Sequence, residues 1–94
     1  MNIMARLYKT NGEVIEVSPK NNRDFTLEEL QNFVEGDIIE IINLTTEKIL
    51  IVNEEGKINK LPFNESATEL WKKYYGRTDY IVGNALLCNS DEVR

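Results

Sequence analysis

Two runs of mostly β-branched residues, Ile38-Ile39-Glu40-Ile41-Ile42 and Ile49-Leu50-Ile51-Val52, constrain this chain more than any other feature. Each is apolar at successive positions, so neither alternates between a wet face and a dry one. Both therefore read as central strands of a sheet covered on two sides. Glu40 is the one charge inside them, and it marks a point where a strand face opens to water. The chain has 94 residues, below the usual span of roughly 100 to 200 per domain, so residues 1–94 form one domain that must supply the neighbours these strands need.

The flanking segments supply them. At the start, Asn11-Gly12 as a two-residue loop would set Leu7 against Glu16. A three-residue loop, Thr10-Asn11-Gly12, with Gly12 left-handed, instead pairs Leu7 with Ile15 and Ala5 with Val17 and gives one apolar face. Thr26 and Glu29 then have capping-box spacing, with Phe25 and Leu30 placed as a hydrophobic staple. Leu27, Leu30 and Val34 share a helical face, and Gly36 stops the helix. Glu54-Glu55-Gly56 reads as a second hairpin loop leading into a strand at 57–61, which Pro62 ends. Asn64 caps a second helix with Ala67, Leu70, Trp71 and Tyr74 on one face, Lys72 and Lys73 in its last turn and Gly76 as its stop. A last strand, roughly 80–88, carries Gly83 in its interior. The expected class is α+β, a mainly antiparallel β-sheet packed by two short helices in the order ββαβββαβ.

Composition narrows function mostly by exclusion. With no histidine, the imidazole base of the hydrolase triads and the H-E-x-x-H zinc site are missing. A single cysteine, Cys88, precludes an intrachain disulfide or a multi-cysteine metal motif. No cofactor is expected. Sixteen acids against 11 bases give a net charge of −5, which disfavours nonspecific nucleic-acid binding. No apolar stretch approaches the ~18 residues of a membrane span. The first residues show neither an apolar core nor a cleavage site of a secretory signal, so the expected location is the cytoplasm.

Two groups of residues are candidates for recognition. The acids Glu35, Asp37, Glu40, Glu54 and Glu55 could contact a protein partner. Carboxylate pairs of this kind can also hold a divalent ion or act as acid and base, although in turns they are usually solvated. The second group surrounds the segment Trp71-Lys72-Lys73-Tyr74-Tyr75, followed by Arg77. Trp71 and Tyr74 belong to the core stripe of the helix, whereas Tyr75 and Arg77, with Lys60 or Lys72, could stack on and pair with a planar anion. Asn64 joins this set, because an N-cap and the amides behind it also suit an anion.

The segments N-E-E-G-K-I-N-K-L-P-F-N-E-S-A-T (residues 53–68), F-T-L-E-E-L-Q-N-F-V-E-G-D-I-I-E (25–40) and D-Y-I-V-G-N-A-L-L (79–87) resemble the family called domain of unknown function 3846. The likeness runs over about residues 13–88. One departure is Glu35 before Gly36, where the family pattern suggests a smaller or apolar residue, often glycine. The resemblance implies a small protein of phages and mobile elements with no established enzymatic activity. Together with the absence of catalytic apparatus, it leads to a non-enzymatic accessory protein that binds a partner stoichiometrically. The expected partner is a host protein, met through the acidic surface to inhibit a bacterial defence system. The alternative is sequestration of a small anionic signalling nucleotide at the interface of a homo-oligomer. A third reading, a small enzyme, would need Glu or Asp as acid and base or a metal held by oxygen ligands.

Overall fold

The computed structural model describes residues 5–93; the reading of the extreme N-terminus as free of a signal concerns mostly Met1 to Met4, outside that range. The elements are β1 (Ala5–Tyr8), β2 (Val14–Val17), α1 (Leu27–Val34), β3 (Ile39–Asn43), β4 (Lys48–Asn53), α2 (Glu65–Tyr75) and β5 (Ala85–Asn89), followed by a single 3-10 turn at Ser90–Glu92. The five strands form one antiparallel sheet in the order β2-β1-β5-β4-β3. The α+β class, the antiparallel sheet and the two short helices are as expected. No described helix is long and apolar enough to cross a membrane.

The helices lie on opposite faces of the sheet. Alternate residues of β4, Ile49 and Ile51, pack with Leu30 and Val34 of α1, with Phe25, and with Leu86 and Cys88 of β5. The intervening Leu50 and Val52 pack with Ala67 and Trp71 of α2, with Ile81 and with Ala85. This two-sided burial is why β4 reads as a continuous apolar run. Each Leu or Ile buried there contributes about 1.5–3 kcal/mol relative to exposure.

The other run differs. β3 is an edge strand, and Ile38 and Ile41 are 45% and 47% exposed, so the expectation of two central strands holds for β4 alone. An edge strand lacks one neighbour, and a sequence apolar on both faces cannot reveal which of two such strands lies inside.

The first hairpin has the expected register, Ala5 against Val17 and Leu7 against Ile15. Lys9 and Glu13 close a loop of Thr10, Asn11 and Gly12, the Lys9 amide donating to the Glu13 carbonyl at 2.8 Å. Gly12 takes φ +95°, a conformation that suits glycine. Ile15 nevertheless remains 41% exposed, because β2 is the other edge.

Helix α1 begins as read: the Thr26 hydroxyl accepts from the Glu29 amide and the Glu29 carboxylate accepts from the Thr26 amide. The amide contact holds the Glu29 carboxyl below its ordinary value. Leu27, read as part of the buried stripe, is 58% exposed, since the apolar face is carried by Leu30, Val34 and the preceding Phe25. On α2 the corresponding correction is Tyr74, which is exposed.

Residues 57–61 form successive turns instead of a strand. The Asn59 amide donates to the Glu55 carbonyl, Lys60 to Lys57 and Leu61 to Gly56, and Lys60 takes φ +56°. These local bonds consume the groups a ladder would use, and Ile58, at 78% exposure, supplies no apolar pull towards the sheet. Leu61 packs against the backbone of Gly83, where a Cβ would stand 2.8 Å from its Cδ1.

Cys88 is a buried free thiol whose pKa is pushed up to about 12, first by burial and then by the carboxylates of Glu92 and Asp91. Above its ordinary value of 9.0 the unfolded thiol loses its proton while the folded one keeps it, so this group's contribution to stability falls as pH rises between 9 and 12. The stability advantage of the wild type over Cys88→Ala should therefore narrow by about 1 kcal/mol between pH 8 and pH 10 in urea unfolding. A constant gap would mean that the thiol is not held protonated.

Candidate functional site

The turn that ends α1 brings acids and amides together. Glu35 is the helix C-cap and takes the left-handed conformation, φ +58° and ψ +46°. Gly36 follows because nothing larger fits: its Cβ would lie 2.3 Å from Nδ2 of Asn53. Asn53, buried at the end of β4, accepts from the Glu55 amide through Oδ1 at 2.8 Å and donates to the Glu35 carbonyl at 3.4 Å. One side chain thus ties the end of α1 to the start of the 54–61 turns. Glu35→Gly should raise stability by about 0.5–1 kcal/mol, since only glycine adopts this backbone without a Cβ penalty. A loss on chemical denaturation would show that the Glu35 side chain stabilises the turn.

Two depressions meet at Asn53. The first is an open groove of about 620 Å³ between the end of α1 and the turns after β4, lined by Glu28, Glu35, Asp37 and Glu55 with the amides of Asn53 and Asn59. Among the described residues no basic side chain lines it. The second is a cleft of about 440 Å³ between β3, the end of α2 and residues 79–82. Trp71, Tyr75 and Tyr80 provide aromatic walls, and Glu40, Glu54 and Asp79 provide carboxylates against, among the described residues, the one cation Lys57.

The cleft is internally organised. Tyr75 stacks on Trp71, centroids 5.3 Å apart at 25°. Its hydroxyl donates to the Asn43 carbonyl and so ties the end of α2 to β3. Lys57 forms an ion pair with Asp79 and stands 4.3 Å above the Tyr80 ring. The Lys57 ammonium is the main reason the Asp79 carboxyl is held below its usual range. The cleft therefore already accommodates one cation between a carboxylate and an aromatic face.

The five acids read from sequence, Glu35, Asp37, Glu40, Glu54 and Glu55, all line one or other of these adjoining depressions. In sequence they look dispersed, but the α1 turn and the β3–β4 pairing gather them. Glu54 and Glu55, neighbours in the chain, face different depressions. Sequence reasoning missed Lys57, Asp79 and Tyr80, because residues 57 and 79 meet only through tertiary packing.

The proposed anion-binding set does not converge. Asn64 is fully buried and its side chain is committed: it accepts from the Ala67 amide and donates to the carbonyls of Tyr8 and Gly83. Its assignment to an anion site is therefore corrected. Lys72 pairs with Glu69 at 3.1 Å. Lys60 and Arg77 are exposed, and of the five residues Tyr75 alone lines either depression. A third, smaller cavity of about 200 Å³ is lined by none of them. Among the described residues, no group of three or more acidic or sulfur ligands is placed to hold a metal ion.

Fold and site together define a small two-faced antiparallel sheet domain with an acid-rimmed aromatic cleft at one sheet edge. The chain belongs to the domain of unknown function 3846 family, which matches residues 4–93. No curated protein and no solved structure matches the chain.

Proposed function

We propose that this protein acts by stoichiometric, non-enzymatic binding, through the acidic end of its sheet, to a basic surface of a partner protein. The observation that carries this reading is the gathering, among the described residues, of seven carboxylates and one lysine around Asn53, in a chain whose whole surplus is five negative charges. Such a surface steers a basic partner and repels an acidic one, with an influence screened over ~8–10 Å at ordinary ionic strength. The setting comes from the family resemblance: a phage or mobile-element accessory protein in the bacterial cytoplasm, with a host defence protein as the partner it inhibits. Free nucleotides fit less well, because phosphate would meet a carboxylate rim.

Replacing Glu54 and Glu55 by lysine tests the reading in a salt series. Partner capture that weakens both with added salt and with the double substitution supports it. Capture indifferent to both removes it.

A further inference from the structure

The cleft has a neighbour that gives it a direction: the free edge of β3. The Glu54 amide donates to the Ile38 carbonyl, and the Leu44 amide to the Lys48 carbonyl, so the even-numbered residues of this strand bond to β4. In an antiparallel ladder the alternate residues then turn their amides and carbonyls outward. These are Ile39, Ile41 and Asn43. The Asn43 carbonyl confirms the geometry, because the Tyr75 hydroxyl reaches it from outside the ladder. Both polar groups of Ile39 and Ile41 remain without a partner among the described residues, and no strand lies beyond them.

Edge strands are usually blunted by charged side chains, lysine above all, by proline, by a bulge or by a covering helix or loop. Along Ile39–Ile42 the one such device on β3 is the charge of Glu40, which repels acidic strands and admits basic ones, and the end of α2 covers the edge at Asn43, through Tyr75. The two faces of β3 differ in chemistry. Glu40 and Ile42 point towards the α2 side, where Ile42 packs with the Trp71 cluster and Glu40 lines the acid-rimmed cleft. Ile39 and the exposed Ile41 point towards the α1 side.

Building on the acidic-surface reading above, we propose that β3 takes up an extended segment of the partner as a sixth strand. The segment would alternate basic and apolar residues, its basic side chains lying beside Glu40 and over the cleft and its apolar ones beside Ile39 and Ile41. Main-chain hydrogen bonds to residues 39 and 41 supply the pairing, and the alternate side chains supply the selection. The Lys57 ammonium, held between Asp79 and the Tyr80 ring, shows within this molecule the kind of contact such a side chain would make. Charge selects this occupant over a second copy of the chain. Two β3 edges brought together would bring the unpaired Glu40 and Glu54 towards the same acids of the other copy, at a cost that a basic segment avoids.

The test uses a fluorescent seven-residue peptide of alternating lysine and valine, and two forms of it N-methylated on one or the other set of alternate amides. Strand addition predicts that the parent peptide and one methylated form bind, while the other methylated form loses at least tenfold in affinity. It also predicts that the Ile39 and Ile41 amides, fast in hydrogen exchange in the free protein, become protected on binding. Equal binding of all three peptides would overturn strand addition and leave the acidic-surface reading standing. Failure of every basic peptide to bind at low salt would remove both. Protection of these amides without peptide, together with a doubled mass at high protein concentration, would show a second copy on the edge and overturn the proposal. Ile41→Pro, which removes an outward amide and leaves the β4 ladder intact, should reduce binding of the parent peptide at least tenfold. Unchanged binding by that variant would likewise overturn it.

Discussion

Asn64→Ala should lower the free energy of unfolding by about 2–4 kcal/mol in chemical denaturation, combining a lost cap, an orphaned Gly83 carbonyl and the loss of a second bond to the Tyr8 carbonyl. The Asn64 carboxamide receives the Ala67 amide at 3.0 Å, and gives its two hydrogens to the Tyr8 carbonyl at 2.9 Å and the Gly83 carbonyl at 2.8 Å. It thus joins the start of α2, the end of β1 and the segment leading into β5 from a fully buried position. Asn64→Asp separates the two components. At an exposed cap aspartate performs as well as asparagine. Here it would keep the acceptor for Ala67 but set a carboxylate against two carbonyl oxygens, so it should cost at least as much as alanine. If Asn64→Asp were neutral, Asn64 would be an ordinary surface cap, and the way α2 is anchored to the sheet would need revision.

Glu54→Lys combined with Glu55→Lys should weaken binding of a basic partner by roughly 30- to 150-fold at low salt, on the order of 2–3 kcal/mol for two reversed charges near a protein surface. The loss should shrink as salt rises, because the outer parts of both depressions are open to solvent. Among the described residues neither carboxylate makes a hydrogen bond or ion pair; the Glu55 backbone amide, which bonds to Asn53, is untouched by the substitution. Stability should therefore change by less than about 0.5 kcal/mol. The two residues face different depressions, so the separate single variants report how the partner is shared between them. Weakened binding with matching loss of stability would point to a disturbed turn instead of a lost contact.

Local signals carried much of the fold. The capping box of Thr26 and Glu29, the loop closed by Gly12, and the Asn64 cap were readable because their chemistry is complete within a few residues. What was not readable depended on distant partners. Nothing local distinguishes residues 38–42 from residues 49–52, yet one run lies at the edge and the other inside, because β5 returns to pair with both β1 and β4. Residues 57–61 carry a strand-like composition, but turn bonds back to Glu55, Gly56 and Lys57 take their amides first.

The site divides in the same way. The five acids could be named from sequence, but not their convergence, which needs the left-handed Glu35 and the close contact of Gly36 with Asn53. Asn64 was misplaced for the opposite reason: its capping role was legible, whereas burial and two long-range acceptors were not. The aromatic and basic segment from Trp71 to Arg77 looked like one cluster in sequence. The helix turns Trp71 and Tyr75 into the cleft and leaves Lys73, Tyr74 and Arg77 in solvent.

The most direct measurement of the central claim is a two-dimensional amide NMR titration of the protein, run in parallel with a lysine-rich peptide and with a panel of cyclic and ADP-ribose-type nucleotides. Binding through the acidic end predicts that the peptide shifts resonances at residues 35–41, 53–57 and 79–81, and that the nucleotides shift none. Nucleotide-induced shifts at Lys60, Lys72, Tyr75 and Arg77, with no response to the peptide, would contradict it.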